Sequence, residues 1–156
     1  MQPIVDSLAE ATGESAAFAE WGGDGIVFRA KRERSGSYHY MDVGRRNRNV
    51  LDHPFALTCL AHCDPAAWRR FATAARRLGL DLEKVLTAIR NEGVHVGRDK
   101  ALRVVAPVRA HDGAFLGAIG VARVGATDSE PRQLERFRKA VLEHARRAAD
   151  LIQNQT

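Results

Sequence analysis

The sequence predicts an α+β fold in which an antiparallel sheet is assembled from hairpins, with helices inserted between them and at both ends. Three observations carry this. Apolar alternation bounded by glycine-rich turns occurs in two separate places, around residues 15–43 and 102–124. Helical stripes with clear starts and stops fill residues 54–92 between them, and a long stripe closes the chain at 129–152.

In order, Pro3 opens a short helix with Ile4, Val5, Leu8 and Ala11 on one stripe, ended by Gly13. Ser15 to Trp21 and Ile26 to Lys31 read as strands joined by Gly22-Gly23-Asp24-Gly25, whose glycines suit a tight hairpin. Tyr38 to Val43 reads as a third strand by its aromatic, alternating character. Asp52 or His53 caps a helical run over Pro54 to Ala61, with Pro54 in its first turn. Asp64-Pro65 opens a further helix carrying Trp68, Phe71, Ala72, Ala75 and Leu78, stopped by Gly79. Asp81 caps the next, striped by Leu82, Val85, Leu86 and Ile89 and ended by Gly93. His95 and His111 read as turn residues. Residues 102–110 and 115–124 are apolar strands joined through Asp112-Gly113, and Pro107 implies an edge position or a bulge. Thr127-Asp128-Ser129-Glu130 has the spacing of a capping box for the final helix. Nothing in the 156 residues suggests a linker, so one domain over 1–156 is expected.

Composition narrows the function. No apolar run approaches the ~20 residues of a membrane span, so no membrane association is expected. The first residues show no secretory signal, and two cysteines make no disulfide framework; a cytoplasmic protein is expected. Between residues 29 and 48, seven basic residues face only Glu33 and Asp42, a surplus equal to the whole net charge of +5. Such a segment can meet nucleic acid, but without interleaved aromatics it reads more simply as solvated loop and edge strand.

Catalytic and metal signatures are thin. Cys59, His62 and Cys63 lie close together, yet zinc sites pair two separated ligand sets and no second pair exists, so no metal and no cofactor is expected. A Cys–His nucleophile lacks a third, orienting group. The one site-like feature is the helix start at His53-Pro54-Phe55-Ala56, whose free N–H groups suit an anion. Small residues, Gly117, Ala118, Gly120 and Ala122, accompany it. Either they leave room for a ligand or they let the helix pack close to the sheet.

Three stretches carry a family resemblance. Ile4 to Ala16, Val43-Gly44-Arg45-Arg46 followed by a helix ending Cys59-Leu60-Ala61, and Ile89 to Gly93 with Leu102 to Val108 and Leu116 to Val121 resemble the effector-binding domain of IclR-family transcription regulators. The resemblance implies a GAF-like fold, a curved antiparallel sheet whose concave side holds a small metabolite, commonly a carboxylate. It implies a homodimer or homotetramer, and DNA contact only through an N-terminal winged helix-turn-helix that these residues do not include. The chain is then an excised domain or a stand-alone relative. The family's loop-to-helix motif is matched poorly by Asp52 to Thr58. Where characterised members place a cysteine and two serines for a carboxylate, alignment puts Val104, Gly120 and Ala122. The expected effector is therefore an aromatic or fairly apolar carboxylate, between the helix start at Pro54 and the sheet, lined by Tyr40, His53, Pro54, Phe55, Ala56, Val104, Gly120 and Ala122. The chain is not expected to be an enzyme. The alternatives are a stand-alone GAF-like small-molecule binding module or an enzyme using His53 or Cys63.

Overall fold

The computed structural model describes residues 1–36, 38–40, 42–98, 100–125 and 131–155. α1 (Gln2–Thr12) carries a proline in its first turn and ends at Gly13, whose left-handed φ of 76° only glycine adopts cheaply. β1 (Ser15–Trp21) and β2 (Ile26–Arg32) form the first hairpin, and β3 (Arg46–Asn47) pairs briefly with the start of β2. α2 (Pro54–His62) follows a single 3-10 turn at Val50–Asp52. A 3-10 helix (Pro65–Phe71) leads into α3 (Ala72–Arg77), and α4 (Leu82–Glu92) is capped by Asp81, which accepts from the Lys84 amide. β4 (His95–Arg98), β5 (Ala101–Arg109) and β6 (Phe115–Val124) precede α5 (Pro131–Gln153).

The strands make one six-stranded sheet in the order β3-β2-β1-β6-β5-β4, with every neighbouring pair antiparallel. This is the α+β arrangement expected. The side-chain period of two divides each central strand between two cores. Leu102, Val104, Ala106, Ile119 and Val121 pack with Val5, Leu8, Phe137 and Val141 under α1 and α5. Ala17, Ala19, Val105, Ala118 and Ala122 pack on the other face with Phe55, Cys59, Leu60, Leu86 and Ile89 of α2 and α4.

Several expectations are corrected. Of the strand expected over Tyr38 to Val43, the described residues 38–40 and 42–43 form none; Tyr40 packs against Phe28 and Phe55 and Tyr38 against Tyr40, so the aromatic alternation serves a ring cluster and not a ladder. Residues 65–78 are not one α-helix. Trp68 Nε1 donates to the Leu60 carbonyl at 2.8 Å and the Phe71 ring meets Trp21 at 6.0 Å, tertiary contacts that hold the tighter 3-10 winding. Leu78, expected on the buried stripe, is 70% exposed. His95 begins a strand, paired with Val105. Pro107 lies beyond the end of β4, which reaches only Val105, so no ladder on that side needs its missing N–H. The capping box at 127–130 lies outside the described residues.

The basic segment is largely paired. Arg29 meets Glu20, Lys31 meets Glu33 and Asp42, and Arg46 and Arg48 converge on Asp24. Those two guanidiniums hold the Asp24 carboxyl down at about 2, Arg48 contributing more.

Candidate functional site

The α2 side of the sheet is laid out in rows by strand register. One row runs Gly97, Arg103, Ala122, Ser15; the next runs His95, Val105, Gly120, Ala17; a third runs Pro107, Ala118, Ala19, Phe28. Most of these side chains are small, so α2 can lie close to the sheet. At Gly120 the partner strand β5 stands close. A Cβ there would stand 2.5 Å from the Val104 carbonyl oxygen and 3.0 Å from Val105 Cα, so the glycine borders backbone, not open space. The atoms that crowd Gly120 belong to β5 and not to α2.

The amino end of α2 is equally enclosed. A Cβ on Gly97 would lie 2.5 Å from Pro54 Cγ, so β4 sits directly against the first turn. His53, Phe55, Phe28 and Tyr40 form an aromatic cage. Ring centroids are 5.5 Å apart for Phe28–Phe55, 5.3 Å for Phe28–Tyr40, 5.7 Å for Tyr40–Phe55 and 5.9 Å for His53–Phe55, mostly edge-to-face or tilted. Tyr40 Oη donates to the Ser15 carbonyl at 3.4 Å, and burial pushes its phenol well above the ordinary range. Outside the cage the strap holding Tyr40 is tied to the sheet. The Tyr40 amide donates to Glu33 Oε1 at 2.9 Å, and Lys31 Nζ bridges Glu33 and the Tyr40 carbonyl. Hydrogen bonds from Lys31 first, then His39, hold the Glu33 carboxyl below its usual range.

Seven of the eight residues expected to line the site are thus gathered on one side: Tyr40, His53, Pro54, Phe55 and Ala56 at the helix start, and Gly120 and Ala122 on the sheet. Val104 is the exception. It points into the α1–α5 core, because its strand neighbours Arg103 and Val105 take the α2 face. A shift of one residue along a strand exchanges faces.

Reasoning from the sequence did not single out Arg103, which is 5% exposed on the α2 face. Its Nη2 donates to Tyr38 Oη at 2.8 Å, and its guanidinium lies 4.7 Å from the Tyr38 ring centroid. Tyr38 in turn meets Tyr40 at 5.0 Å, continuing the cage toward the arginine. A lone arginine inside the apolar run Leu102 to Val108, in step with Val105, was the available signal.

At the other end of α2, Cys59, His62 and Cys63 are arranged for packing. Burial pushes the Cys59 thiol well up and the Cys63 thiol to about 11. Burial, aided by Arg109 and Arg90, lowers His62 to about 4; its Nδ1 accepts from Arg109 Nη2 and its ring stacks on Phe115. Protonated thiols beside a neutral imidazole are not an activated Cys–His pair. No group of three or more His, Cys, Asp or Glu side chains able to hold a metal occurs among the described residues.

This histidine makes stability pH-dependent. Unfolded, it takes a proton near pH 6.5; folded, it resists until about 4, and burial lowers His95 in the same direction. The unfolded state therefore binds more protons in that window, and stability falls as pH drops from 6.5 toward 4. Urea midpoints across that window should fall in the native protein and fall less steeply in His62→Gln.

No family model matches the sequence, and no curated protein matches it. Solved structures do share the fold. A protein from Rhodococcus sp. RHA1 described as a transcriptional regulator superposes with a TM-score of 0.80 at 17% identity over 96% of this chain and 65% of its own. An IclR transcriptional regulator from Alicyclobacillus acidocaldarius gives 0.73 at 20% identity, covering 95% of this chain and 64% of its own. An IclR homologue from Microbacterium hydrocarbonoxydans, complexed with 4-hydroxybenzoate, gives 0.77 at 14% identity, covering 96% of this chain and 66% of its own. The chain thus spans about two thirds of these regulators and has the GAF-like fold of that part of them. No helix among the described residues is long and apolar enough to cross a membrane.

Proposed function

We propose that the chain is the effector-sensing and oligomerisation domain of an IclR-type transcription regulator, with an aromatic or fairly apolar carboxylate as effector. The observation that carries this reading is the aromatic cage of Phe28, Tyr40, His53 and Phe55 on the α2 side of the sheet, in a fold shared with such regulators. Edge-to-face rings suit a planar apolar body, and affinity for it comes mainly from apolar burial, at ~25 cal/mol per Å². The 4-hydroxybenzoate held by one relative belongs to the same chemical class. The effector-facing set is Tyr40, His53, Pro54, Phe55, Ala56 and Ala122; Val104 leaves it because it faces the other core, and Gly120 because the β5 backbone already stands against it.

In this reading the domain forms a homodimer or homotetramer, and DNA is met through a winged helix-turn-helix attached on the amino side. The effector acts by changing how paired domains sit, since a lone domain cannot reposition a DNA-binding partner it does not touch. Native mass spectrometry of freshly purified protein tests both halves of the proposal at once. The expected spectrum shows dimers or tetramers at micromolar concentration, shifted by a retained or added aromatic acid. A clean monomer that takes up none of a library of aromatic acids and their neutral analogues would overturn it.

A further inference from the structure

The Cys–His pair at the end of α2 is not activated, but a serine and a histidine on the other face of the sheet are placed as such a pair should be. Ser7 lies on α1 and His144 on α5, 137 residues apart in the chain, and the packing of the two helices brings Ser7 Oγ to 3.1 Å from His144 Nε2. His144 Nδ1 stands 2.7 Å from the Ala140 carbonyl oxygen, one helical turn earlier. That oxygen can only accept, so Nδ1 carries the ring proton and donates it. Nε2 is left bare, with its lone pair toward the serine. Arg147 Nη1 donates to the same Nε2 at 3.1 Å, a bond that only a bare nitrogen accepts.

A hydroxyl, a base within hydrogen-bond reach of it and a third group that orients the base are thus together. Charge is added by Arg147, whose Nη1 also donates to Ser7 Oγ at 3.0 Å. A guanidinium therefore stands beside the place where negative charge would develop during attack by that oxygen. Access is uneven. His144 is 3% exposed, whereas Ser7 is half-buried and its bond to Arg147 lies at the surface. A small reagent can meet the hydroxyl while the imidazole stays covered.

We propose that Ser7 is an acyl-accepting nucleophile, with His144 as its general base, modified by a small activated carboxylic ester. In the reaction the bond from Ser7 Oγ to the acyl carbon forms, and the bond from that carbon to the leaving oxygen breaks. The serine proton passes to His144 Nε2 and from there to the departing oxygen, so no oxidant and no further reactant is needed. Because His144 is enclosed, the new acyl group covers the approach of water to Nε2, and the product is a stable ester on the chain. The site is independent of the aromatic cage: α1 and α5 cover one face of the sheet and α2 the other.

Incubation with p-nitrophenyl acetate, followed over time by peptide mapping of the acetylated residues, tests this. Ser35, exposed in a turn, serves as the reference hydroxyl of the same chain. Ser7 should acetylate at least about 100-fold faster than Ser35, the low end of what a positioned base contributes. His144→Gln should remove most of that advantage, and Ser7→Ala should lose the rapid burst of p-nitrophenol. If His144→Gln does not fold, as judged by its thermal melt, the ratio of Ser7 to Ser35 in the native chain decides alone. Acetylation of Ser7 no faster than that of Ser35, or equally fast in a folded His144→Gln, would overturn the proposal.

Discussion

Replacing Gly120 with leucine is expected to destabilise the fold before it touches any ligand. The glycine lies in the centre of the sheet, paired with Val105 on one side and Ala17 on the other. A single added carbon already stands 2.5 Å from the Val104 oxygen, 3.0 Å from Val105 Cα and 3.0 Å from Val105 Cγ2. Two of those three atoms are backbone, and backbone in a six-stranded sheet cannot step aside as a flexible side chain can. Three further carbons must also enter a face where α2 is packed on Ala17, Val105 and Ala122. Overpacking of this kind costs about 2–3 kcal/mol, roughly 5–10 °C in melting temperature for a chain this long. A thermal melt measures it directly. An unchanged melting temperature with lost ligand binding would mean that Gly120 borders a cavity.

Removing the Phe55 ring should cost more still. Phe55 is fully buried at the start of α2 and meets Phe28, Tyr40 and His53 at centroid distances between 5.5 and 5.9 Å. Phe55→Ala removes its share of three aromatic contacts and leaves a hole that a proline-started helix, pressed against Gly97, cannot close by sliding. The expected loss is about 3–5 kcal/mol, the range for large aromatic side chains cut back in a core. Denaturant titration against Leu78→Ala, at a position 70% exposed and expected to change little, gives the comparison. An apolar hole of this kind also stays dry and accepts a small aromatic solute. Excess benzene should therefore raise the melting temperature of Phe55→Ala by more than that of the native protein. A loss no larger than that of Leu78→Ala would show that the cage contributes nothing to stability.

Much of this architecture is already written in local chemistry. Gly13 and Gly93 end their helices in the left-handed conformation, and Asp81 caps α4 through the Lys84 amide. Asp112-Gly113 turns β5 into β6, with the Asp112 side chain accepting from the Ala114 amide. The apolar runs at 102–110 and 115–124 declare two strands, and the resemblance to one family of regulators assigns the same order of elements. Each of these signals acts over a few residues, and a few residues of sequence suffice to read it.

Only the tertiary structure decided the rest. Tyr38 and Tyr40 alternate as a strand would, yet they serve a ring cluster whose members come from β2 and α2, segments the local pattern cannot bring together. Residues 65–71 have the composition of an α-helix, but Leu60 and Trp21 draw them into a tighter winding. Val104 and Arg103 differ by one position, and one position is the whole difference between the two cores, so an alignment uncertain by a residue exchanges a packing valine for a buried cation. Periodicity in a sequence determines that a strand has two faces. Which face meets α2, and hence which residues can meet a ligand, is settled only when strand register and helix placement are fixed together, because that choice belongs to contacts between residues far apart in the chain.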